Sequence, residues 1–193
     1  MDPVEWIAAG LGLANIALLV RRSVWNYPFG MAMVALYFVV FWQAKLYGEA
    51  GLQIFFFAAQ AWGWVLWVRA GGGDSRVPVR RLDGFSRALW LVATAALTLN
   101  LGWVMHKFTD ASLPYADAAI AGASIAAQIL LAFRRIENWV LWIAIDVASI
   151  GVYAYKDLWP TAALYVVFLV MSVLGLIEWA AAERAQKGPL KPA

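Results

Sequence analysis

The sequence predicts an all-α membrane protein with seven transmembrane helices, arranged as two parallel three-helix repeats joined by a linker helix. The first observation behind this prediction is composition: of 193 residues, 64% are hydrophobic and 14% are charged, whereas a typical soluble domain has about 25% charged residues. The second is that the apolar residues fall into seven runs, each close to the roughly 20 residues that span a bilayer. The third is a duplication within the sequence.

The duplication relates residues 10–67 to residues 122–179, which align without a gap at a constant offset of 112 positions. Identical residues recur along the alignment: Arg22 with Arg134, Asn26 with Asn138, Leu46 with Leu158, Phe56 with Phe168, Gly63 with Gly175 and Trp67 with Trp179. Each copy contains three apolar runs, and the seventh run lies between the copies. Duplicated three-helix units are typical of transporters, because two similar halves can form a site between them.

The apolar runs give the expected helices and domain boundaries. We expect spans near residues 5–20, 26–43, 50–68, 88–105, 115–133, 138–155 and 160–181. The domains are then the first repeat at 1–69, the inner loop and linker helix at 70–108, the second repeat at 109–182 and a cytoplasmic tail at 183–193. The segment Gly71–Pro78 lacks the Gly-Lys-Ser/Thr ending of a phosphate-binding loop, so we interpret it as a flexible linker only.

The distribution of basic residues sets the expected orientation. Asp2 and Glu5 precede the first apolar run, whereas Arg21 and Arg22 follow it; this is the reverse of a cleavable signal peptide and places the N-terminus outside. In that topology 12 Lys and Arg residues lie in inner loops and the tail, and three lie in outer loops, so we expect a cytoplasmic C-terminus. The single linker helix returns the second repeat to the orientation of the first.

The inventory of reactive side chains excludes several function classes. The chain has no cysteine and one histidine, His106, which excludes thiolate chemistry, cysteine metal sites and bis-histidine haem. The last span has no lysine for a retinal Schiff base, and Ser149 lacks the Gly-x-Ser-x-Gly setting of a serine hydrolase. We therefore expect no enzymatic activity, no metal and no cofactor. The basic residues follow the positive-inside pattern and do not indicate nucleic-acid binding.

The sixth apolar run carries the strongest candidate site. Its polar and aromatic residues recur at steps of three and four, which places them on one helical face: Trp139, Trp142, Asp146, Ser149 and Tyr153. A carboxylate near the middle of a membrane span costs about 2.5–3.5 kcal/mol on insertion scales and by default marks a functional site. The alternative is a structural Asp146 that accepts a hydrogen bond from a hydroxyl or amide of a neighbouring helix.

A second candidate stripe lies in the third run, at Gln53, Phe56, Gln60 and Trp64. Its carboxamides and aromatic rings suit a flat polar solute. The equivalent positions of the second copy are Tyr165, Phe168, Ser172 and Leu176, so the two halves differ in chemistry, as they would around an asymmetric solute. The alternative for the glutamines is interhelical hydrogen bonding, which contributes about 0.6 kcal/mol per bond on average.

Two asparagines recur at the start of equivalent helices, Asn26 and Asn138. We include both as candidate binding residues, although helix capping is the more common role at such a position. Asn15 and Gln128 are lone polar residues in their helices, and we assign them to packing.

The chain resembles the PnuC family of bacterial nicotinamide riboside and vitamin transporters. The matching stretches are Trp25–Gly30, Leu46–Tyr47, Leu52–Phe57, Gly63–Trp64, Glu137–Trp142 and Asp146–Tyr165. Where some members have Asn after the Trp-x-x-Trp-x-x-x pattern, this chain has Asp146. The resemblance implies a SWEET-like 3+1+3 fold, a homotrimer with one pathway per protomer, and facilitated diffusion made unidirectional by phosphorylation of the solute inside the cell. It also implies nicotinamide riboside, thiamine, riboflavin or related nucleosides as substrates.

We therefore expect a vitamin-precursor transporter of the bacterial inner membrane, with nicotinamide riboside as the first candidate solute and thiamine as the second. Both carry a cationic aromatic ring, which tryptophan faces attract by about 0.5–2 kcal/mol and which a carboxylate would attract further. The alternative from another class is a membrane scaffold or assembly subunit, and an intramembrane enzyme ranks third. The expected partners are the solute, the lipid bilayer and further copies of the chain.

Overall fold

The computed structural model describes residues 3–43, 47–71, 77–109, 113–155, 157 and 159–187. The described residues form seven α-helices: α1 (Pro3–Val20), α2 (Asn26–Gln43), α3 (Tyr47–Gly71), α4 (Gly84–Phe108), α5 (Pro114–Ala132), α6 (Glu137–Tyr155) and α7 (Trp159–Lys187). The all-α prediction and the order of the seven elements are confirmed. Residues 72–76 of the predicted linker and 188–193 of the predicted tail lie outside the described residues.

Five of these helices contain stretches that are long and apolar enough to cross a membrane. The stretches are Ala50–Gly71, Gly84–Phe108, Pro114–Ala132, Glu137–Tyr155 and Ala162–Gln186. α1 contributes a shorter apolar stretch, Gly10–Val20. α2 is not among the five, since polar Asn26 and Gln43 lie at its two ends and lower its mean hydropathy.

The helices pack in two similar groups of three. α2 packs against both α1 and α3, and α6 packs in the same way against both α5 and α7. The groups meet through two equivalent contacts, α1 against α7 and α3 against α5, while α4 packs against α5. Each contact within the first group therefore has a counterpart in the second.

The turns before α2 and α6 share an unusual backbone conformation. Arg22 has φ 59° and Arg134 has φ 58°, in the left-handed region that non-glycine residues rarely adopt. These two arginines are 112 positions apart, the offset of the sequence duplication. Their carbonyls also accept equivalent bonds: the Val77 N–H donates to Arg22 at 3.2 Å, and the Arg80 N–H donates to Arg134 at 3.0 Å.

The segment 77–83, here termed the linker strap, connects these two turns. Val77 and Val79 are buried, and Arg80 also accepts a bond from the Ile136 N–H at 3.0 Å. The interpretation of Gly71–Pro78 as only a flexible linker was wrong for its described end, because Val77 is docked onto both the backbone and the apolar core. The two valines of the strap therefore belong to the apolar core of the helical bundle.

Charged side chains hold the end of the linker strap. Glu137 accepts the Leu82 N–H at 3.1–3.2 Å and forms a 3.0 Å ion pair with Arg87 of α4. Asp83 caps α4 by accepting the Ser86 N–H at 2.8 Å, and the N–H and hydroxyl of Ser86 hold the pKa of this carboxyl below its usual value. The strap is therefore tied to the first turns of both α4 and α6.

The apolar core is centred on large aromatic residues at the same end of the bundle. Trp67 and Trp179 are fully buried, with ring centroids 5.8 Å apart. Tyr27 contacts Trp67 edge-on at 5.3 Å, and Trp139 contacts Trp179 edge-on at 5.6 Å. The two edge-on pairs occupy equivalent positions of the duplication.

Candidate solute-binding site

The polar residues predicted on α6 meet α7 inside the bundle. Asp146 is 4% exposed, and its Oδ2 accepts a hydrogen bond from the Ser172 hydroxyl at 2.8 Å. Burial of a carboxylate within a membrane span is costly unless it is bonded or serves a ligand. The Ser172 bond is the structural alternative for Asp146, a hydrogen bond from a neighbouring helix, and it occupies one of the two carboxylate oxygens.

Two tyrosines and a serine extend this cluster along the same helices. Ser149 is fully buried, one turn beyond Asp146. The rings of Tyr153 and Tyr165 lie 5.2 Å apart at an angle of 33°, and the buried Ser149 hydroxyl has no hydrogen-bond partner among the described residues. We call the five residues Asp146, Ser149, Tyr153, Tyr165 and Ser172 the polar cluster. It brings together a carboxylate, two phenols and two aliphatic hydroxyls.

Phe168 completes an aromatic edge beside this cluster. Its ring meets Tyr165 edge-on, with centroids 5.6 Å apart and an interplanar angle of 76°. Hydroxyl and carboxylate oxygens beside aromatic faces can bind a hydroxylated solute that also carries a flat ring.

The two tryptophans of α6 lie in the packed interior. Trp139 is 1% exposed, and its ring contacts Trp179 and lies against Gly175. Its indole N–H has no hydrogen-bond partner among the described residues. Trp142 is partly buried and packs against the same core. In this conformation Trp139 serves as a core residue, whereas Trp142 lies at the border of the core.

In the first repeat, two polar side chains, Gln60 and Asn15, lie against Gly30. A Cβ atom added to Gly30 would overlap the Gln60 carboxamide oxygen and would lie 2.6 Å from the Asn15 Nδ2. Asn15 in turn donates to the Asn26 carbonyl at 2.7 Å. Gln60 is 7% exposed, so its amide occupies the space that the missing Gly30 side chain leaves.

At two pairs of equivalent positions, the sizes of the side chains are reversed between the repeats. Gly30 and Gln60 of the first repeat are equivalent to Trp142 and Ser172 of the second. A small residue on the middle helix accompanies a large polar residue on the last helix in one repeat, and the sizes are reversed in the other. Each half can therefore keep its packing while it presents different chemistry.

The remaining residues of the third-helix stripe are more peripheral. Gln53 and Phe56 are partly buried, and Phe56 meets Phe55 edge-on at 5.5 Å. Trp64 is 36% exposed and lines a surface depression of about 260 Å³ with Val65, Val68 and Arg69. Gln60 is thus the residue of this stripe that the structure places deepest in the bundle.

The paired asparagines both make local turn contacts. The Asn26 amide donates to the Ser23 carbonyl at 2.6 Å, and the Asn138 amide donates to the Arg135 carbonyl at 2.6 Å. Both side chains are buried. These bonds close the turns that begin α2 and α6, but they are not helix capping, in which the side-chain oxygen accepts a helix N–H. The Asn138 Oδ1 has no hydrogen-bond partner among the described residues.

Sequence reasoning missed Asn15 and Gly30 as neighbours of Gln60, since Asn15 had been assigned to packing alone. The signal was available in the duplication, because Gly30 aligns with Trp142 and such a difference in size requires a compensating neighbour. The described residues contain no group of three or more His, Cys, Asp or Glu side chains that could hold a metal ion.

Comparison with known proteins identifies the family. A family model described as nicotinamide mononucleotide transporter matches residues 2–181. The nicotinamide riboside transporter PnuC of Escherichia coli (strain K12) is 28% identical, with 91% of this chain and 84% of that protein covered. The riboflavin/roseoflavin transporter RibM of Streptomyces davaonensis is 26% identical, with 93% and 85% covered.

The fold comparison agrees with the sequence comparison. The crystal structure of the vitamin B3 transporter PnuC matches with a TM-score of 0.79 and 27% identity, over 94% of this chain and 82% of that one. The resemblance inferred from sequence motifs is thereby confirmed, and the family consists of membrane transporters and not of enzymes. The chain belongs to the nicotinamide mononucleotide transporter family, the family of PnuC.

Proposed function

We propose that this protein carries nicotinamide riboside across the bacterial inner membrane. The observation that carries the proposal is the buried Asp146 beside the aromatic edge of Tyr153, Tyr165 and Phe168, in a chain whose relatives include nicotinamide riboside transporters. The pyridinium ring of that solute is cationic and flat, and its ribose carries hydroxyls. The carboxylate and the ring faces attract the cationic pyridinium ring, and the hydroxyls of the cluster can hydrogen-bond the ribose hydroxyls.

The roles follow from the contacts of each side chain. Asp146 keeps one oxygen for Ser172 and has a second for a solute hydroxyl or the cationic ring. Tyr153 and Tyr165 provide ring faces, while Ser149 provides a hydroxyl. Gln60, which occupies the position equivalent to Ser172 in the duplication, supplies a carboxamide from the first repeat. Trp142, Gln53, Phe56 and Trp64 border the proposed pathway, and Trp139, Asn26 and Asn138 position the helices.

Riboflavin is the second candidate solute, because RibM is also similar over most of the chain. Its isoalloxazine ring is flat but uncharged, so it would gain from the aromatic edge and less from Asp146. Thiamine shares the cationic ring of nicotinamide riboside and ranks third on chemistry alone.

We further propose facilitated diffusion, with the solute trapped by phosphorylation after entry, and a SWEET-like arrangement of three, one and three helices in a homotrimer. The equivalent contacts of α1 with α7 and of α3 with α5 support two repeats that can move relative to each other. The equivalent turns at Arg22 and Arg134 support the same division.

The proposed orientation has the N-terminus outside and the C-terminus in the cytoplasm. The end of the bundle that holds the linker strap contains Arg80, Arg81 and Arg87, together with Arg134 and Arg135. Such a concentration of arginine favours the cytoplasmic side. Reporter fusions placed after Arg81 and at Ala193 should both read as cytoplasmic, and a periplasmic signal from either would refute this topology.

A thermal-shift screen of the purified protein with nicotinamide riboside, riboflavin and thiamine tests the assignment. Because a ligand that binds only the folded state stabilises it, nicotinamide riboside should raise the melting temperature most. A larger rise with riboflavin would reassign the solute. No rise with any of the three would favour the scaffold alternative, in which the polar stripes face partner helices.

A further inference from the structure

An open depression of the surface lined by basic residues, here termed the cavity, lies apart from the polar cluster, at the end of the bundle that the linker strap crosses. Its volume is about 310 Å³. Residues of the strap, of the turn before α6 and of the end of α7 line it: Val79, Arg80, Arg81, Arg135, Glu183 and Gln186. The lining residues therefore include three arginines and a single glutamate.

The one carboxylate of this wall does not neutralise it. Glu183 is 6% exposed, and its Oε2 forms an ion pair with the Arg81 Nε at 3.4 Å. Arg135 uses one nitrogen to donate to the Arg81 carbonyl at 3.2 Å. With three positive residues against one negative residue, the six lining residues carry a net charge of +2.

Neighbouring arginines also repel one another here. Burial lowers the pKa of Arg134, and the positive charges of Arg80 and Arg135 lower it further. These two residues line the cavity, and Arg134 precedes Arg135 in the same turn. An anion held between the guanidinium groups would relieve this repulsion.

We propose that this cavity binds a phosphate group, carried either by the headgroup of an anionic lipid or by a soluble phosphate compound. Guanidinium groups bind phosphate oxygens through paired, charge-assisted hydrogen bonds. Basic pockets at the cytoplasmic ends of membrane helices are known to accept lipid headgroups. The cavity far exceeds the roughly 30 Å³ that one water molecule occupies, which leaves room for a phosphate. Because the strap and α7 both line the cavity, a bound phosphate would join them.

The test compares melting temperatures of the purified full chain in two settings. In a neutral detergent, inorganic phosphate is compared with chloride at equal ionic strength. In nanodiscs, phosphatidylglycerol is compared with phosphatidylcholine. Because phosphate also stabilises proteins without binding to them, a rise with inorganic phosphate that Arg80→Gln abolishes identifies a soluble phosphate as a ligand. A rise only with phosphatidylglycerol identifies the lipid headgroup. Either rise supports the proposal, and no rise in both settings overturns it.

Variants distinguish the cavity from general surface charge. Arg80→Gln removes a lining guanidinium but keeps the backbone bonds of the strap, and it should weaken the apparent affinity for the stabilising anion about tenfold or more. Arg184→Gln, an exposed arginine of α7 that does not line the cavity, should leave it unchanged. If Arg80→Gln does not fold, Arg135→Gln replaces it. Equal losses in the lining variant and in Arg184→Gln would overturn the proposal.

Discussion

Trp67 and Trp179 each donate an indole N–H to a backbone carbonyl of the opposite repeat, Trp67 to Leu131 at 3.2 Å and Trp179 to Leu19 at 3.1 Å. Both donors and both acceptors are 112 positions apart. The acceptors lie in the last turns of α5 and α1, and each carbonyl also accepts the N–H of the arginine three residues on, Arg134 at 2.8 Å and Arg22 at 2.9 Å. The two bonds are therefore one interaction made twice, and they join the halves at the centre of the core.

Because the Trp67 and Trp179 bonds are equivalent, removing either one should reduce stability by a similar amount. Trp67→Phe and Trp179→Phe should each reduce the free energy of unfolding by about 1–3 kcal/mol, because each removes a buried hydrogen bond and part of a buried ring. The Leu131 and Leu19 carbonyls keep their second donors, the N–H groups of Arg134 and Arg22. Thermal unfolding in mild detergent measures the effect, with Trp25→Phe as the control because Trp25 is 62% exposed. A large loss in one variant and none in the other would contradict equivalent roles.

The close approach of α7 to α6 depends on Gly175. A Cβ atom at this position would lie 2.5 Å from three atoms of the Trp139 ring, and the ring is itself packed against Trp179. Gly175→Ala should therefore destabilise the protein by about 1–3 kcal/mol through overpacking. The same unfolding measurement applies.

The control for that variant is Gly151→Ala on α6, since among the described residues no atom beyond the local backbone lies within 4 Å of the added Cβ. This change should leave stability unaltered or raise it slightly, because alanine favours the helix. If Gly151→Ala destabilises the protein as much as Gly175→Ala, close packing against Trp139 is not the cause.

Glu137 should determine how firmly the linker strap is held. Glu137→Ala removes the acceptor of the Leu82 N–H and the partner of Arg87, so amide hydrogen exchange at Arg80, Leu82 and Ile136 should accelerate. Glu178→Ala, at an exposed position of α7, is the control. Unchanged exchange in the strap of Glu137→Ala would show that the buried valines and the backbone bonds of Val77 and Arg80 suffice to hold it.

Asp146→Asn tests the charge of the polar cluster without removing its shape. The asparagine oxygen can still accept from Ser172, so the protein should remain folded. Affinity for cationic nicotinamide riboside should fall at least tenfold, and affinity for an uncharged ribosyl analogue should fall much less. Isothermal titration of both compounds measures the difference.

An equal loss for the two compounds would show that Asp146 accepts a hydroxyl and does not act as a counter-charge. Ser172→Ala is the companion variant, because it removes the hydrogen bond to Asp146 and keeps the charge. It should preserve the preference for the cationic compound.

The helices were predictable because their apolar runs are long and the sequence is duplicated. The observed α2 has the predicted bounds, 26–43, and α6 begins one residue earlier than expected. The equivalence of Trp67 with Trp179 was also visible, but an alignment shows which residues correspond and not which atoms they bond. Their cross-repeat bonds follow from how α1, α3, α5 and α7 meet, which periodicity does not specify.

The linker strap escaped prediction because glycines dominate the segment that precedes it. Two isolated valines, Val77 and Val79, carry too little apolar pattern to indicate burial, and their docking depends on carbonyls exposed by the turns at Arg22 and Arg134. The spacing along α6 predicts a shared face for Asp146 and Ser149, and both residues are buried, whereas the contact with Ser172 depends on the position of α7.

The most direct test of the central claim is uptake of radiolabelled nicotinamide riboside into liposomes that contain the purified protein. Facilitated diffusion predicts equilibration of the solute without accumulation, faster exchange when unlabelled solute is loaded inside, and a large reduction in Asp146→Asn. Retention should follow only when a kinase and ATP are enclosed. Uptake no faster than in protein-free liposomes would contradict the assignment of this chain as a nicotinamide riboside carrier.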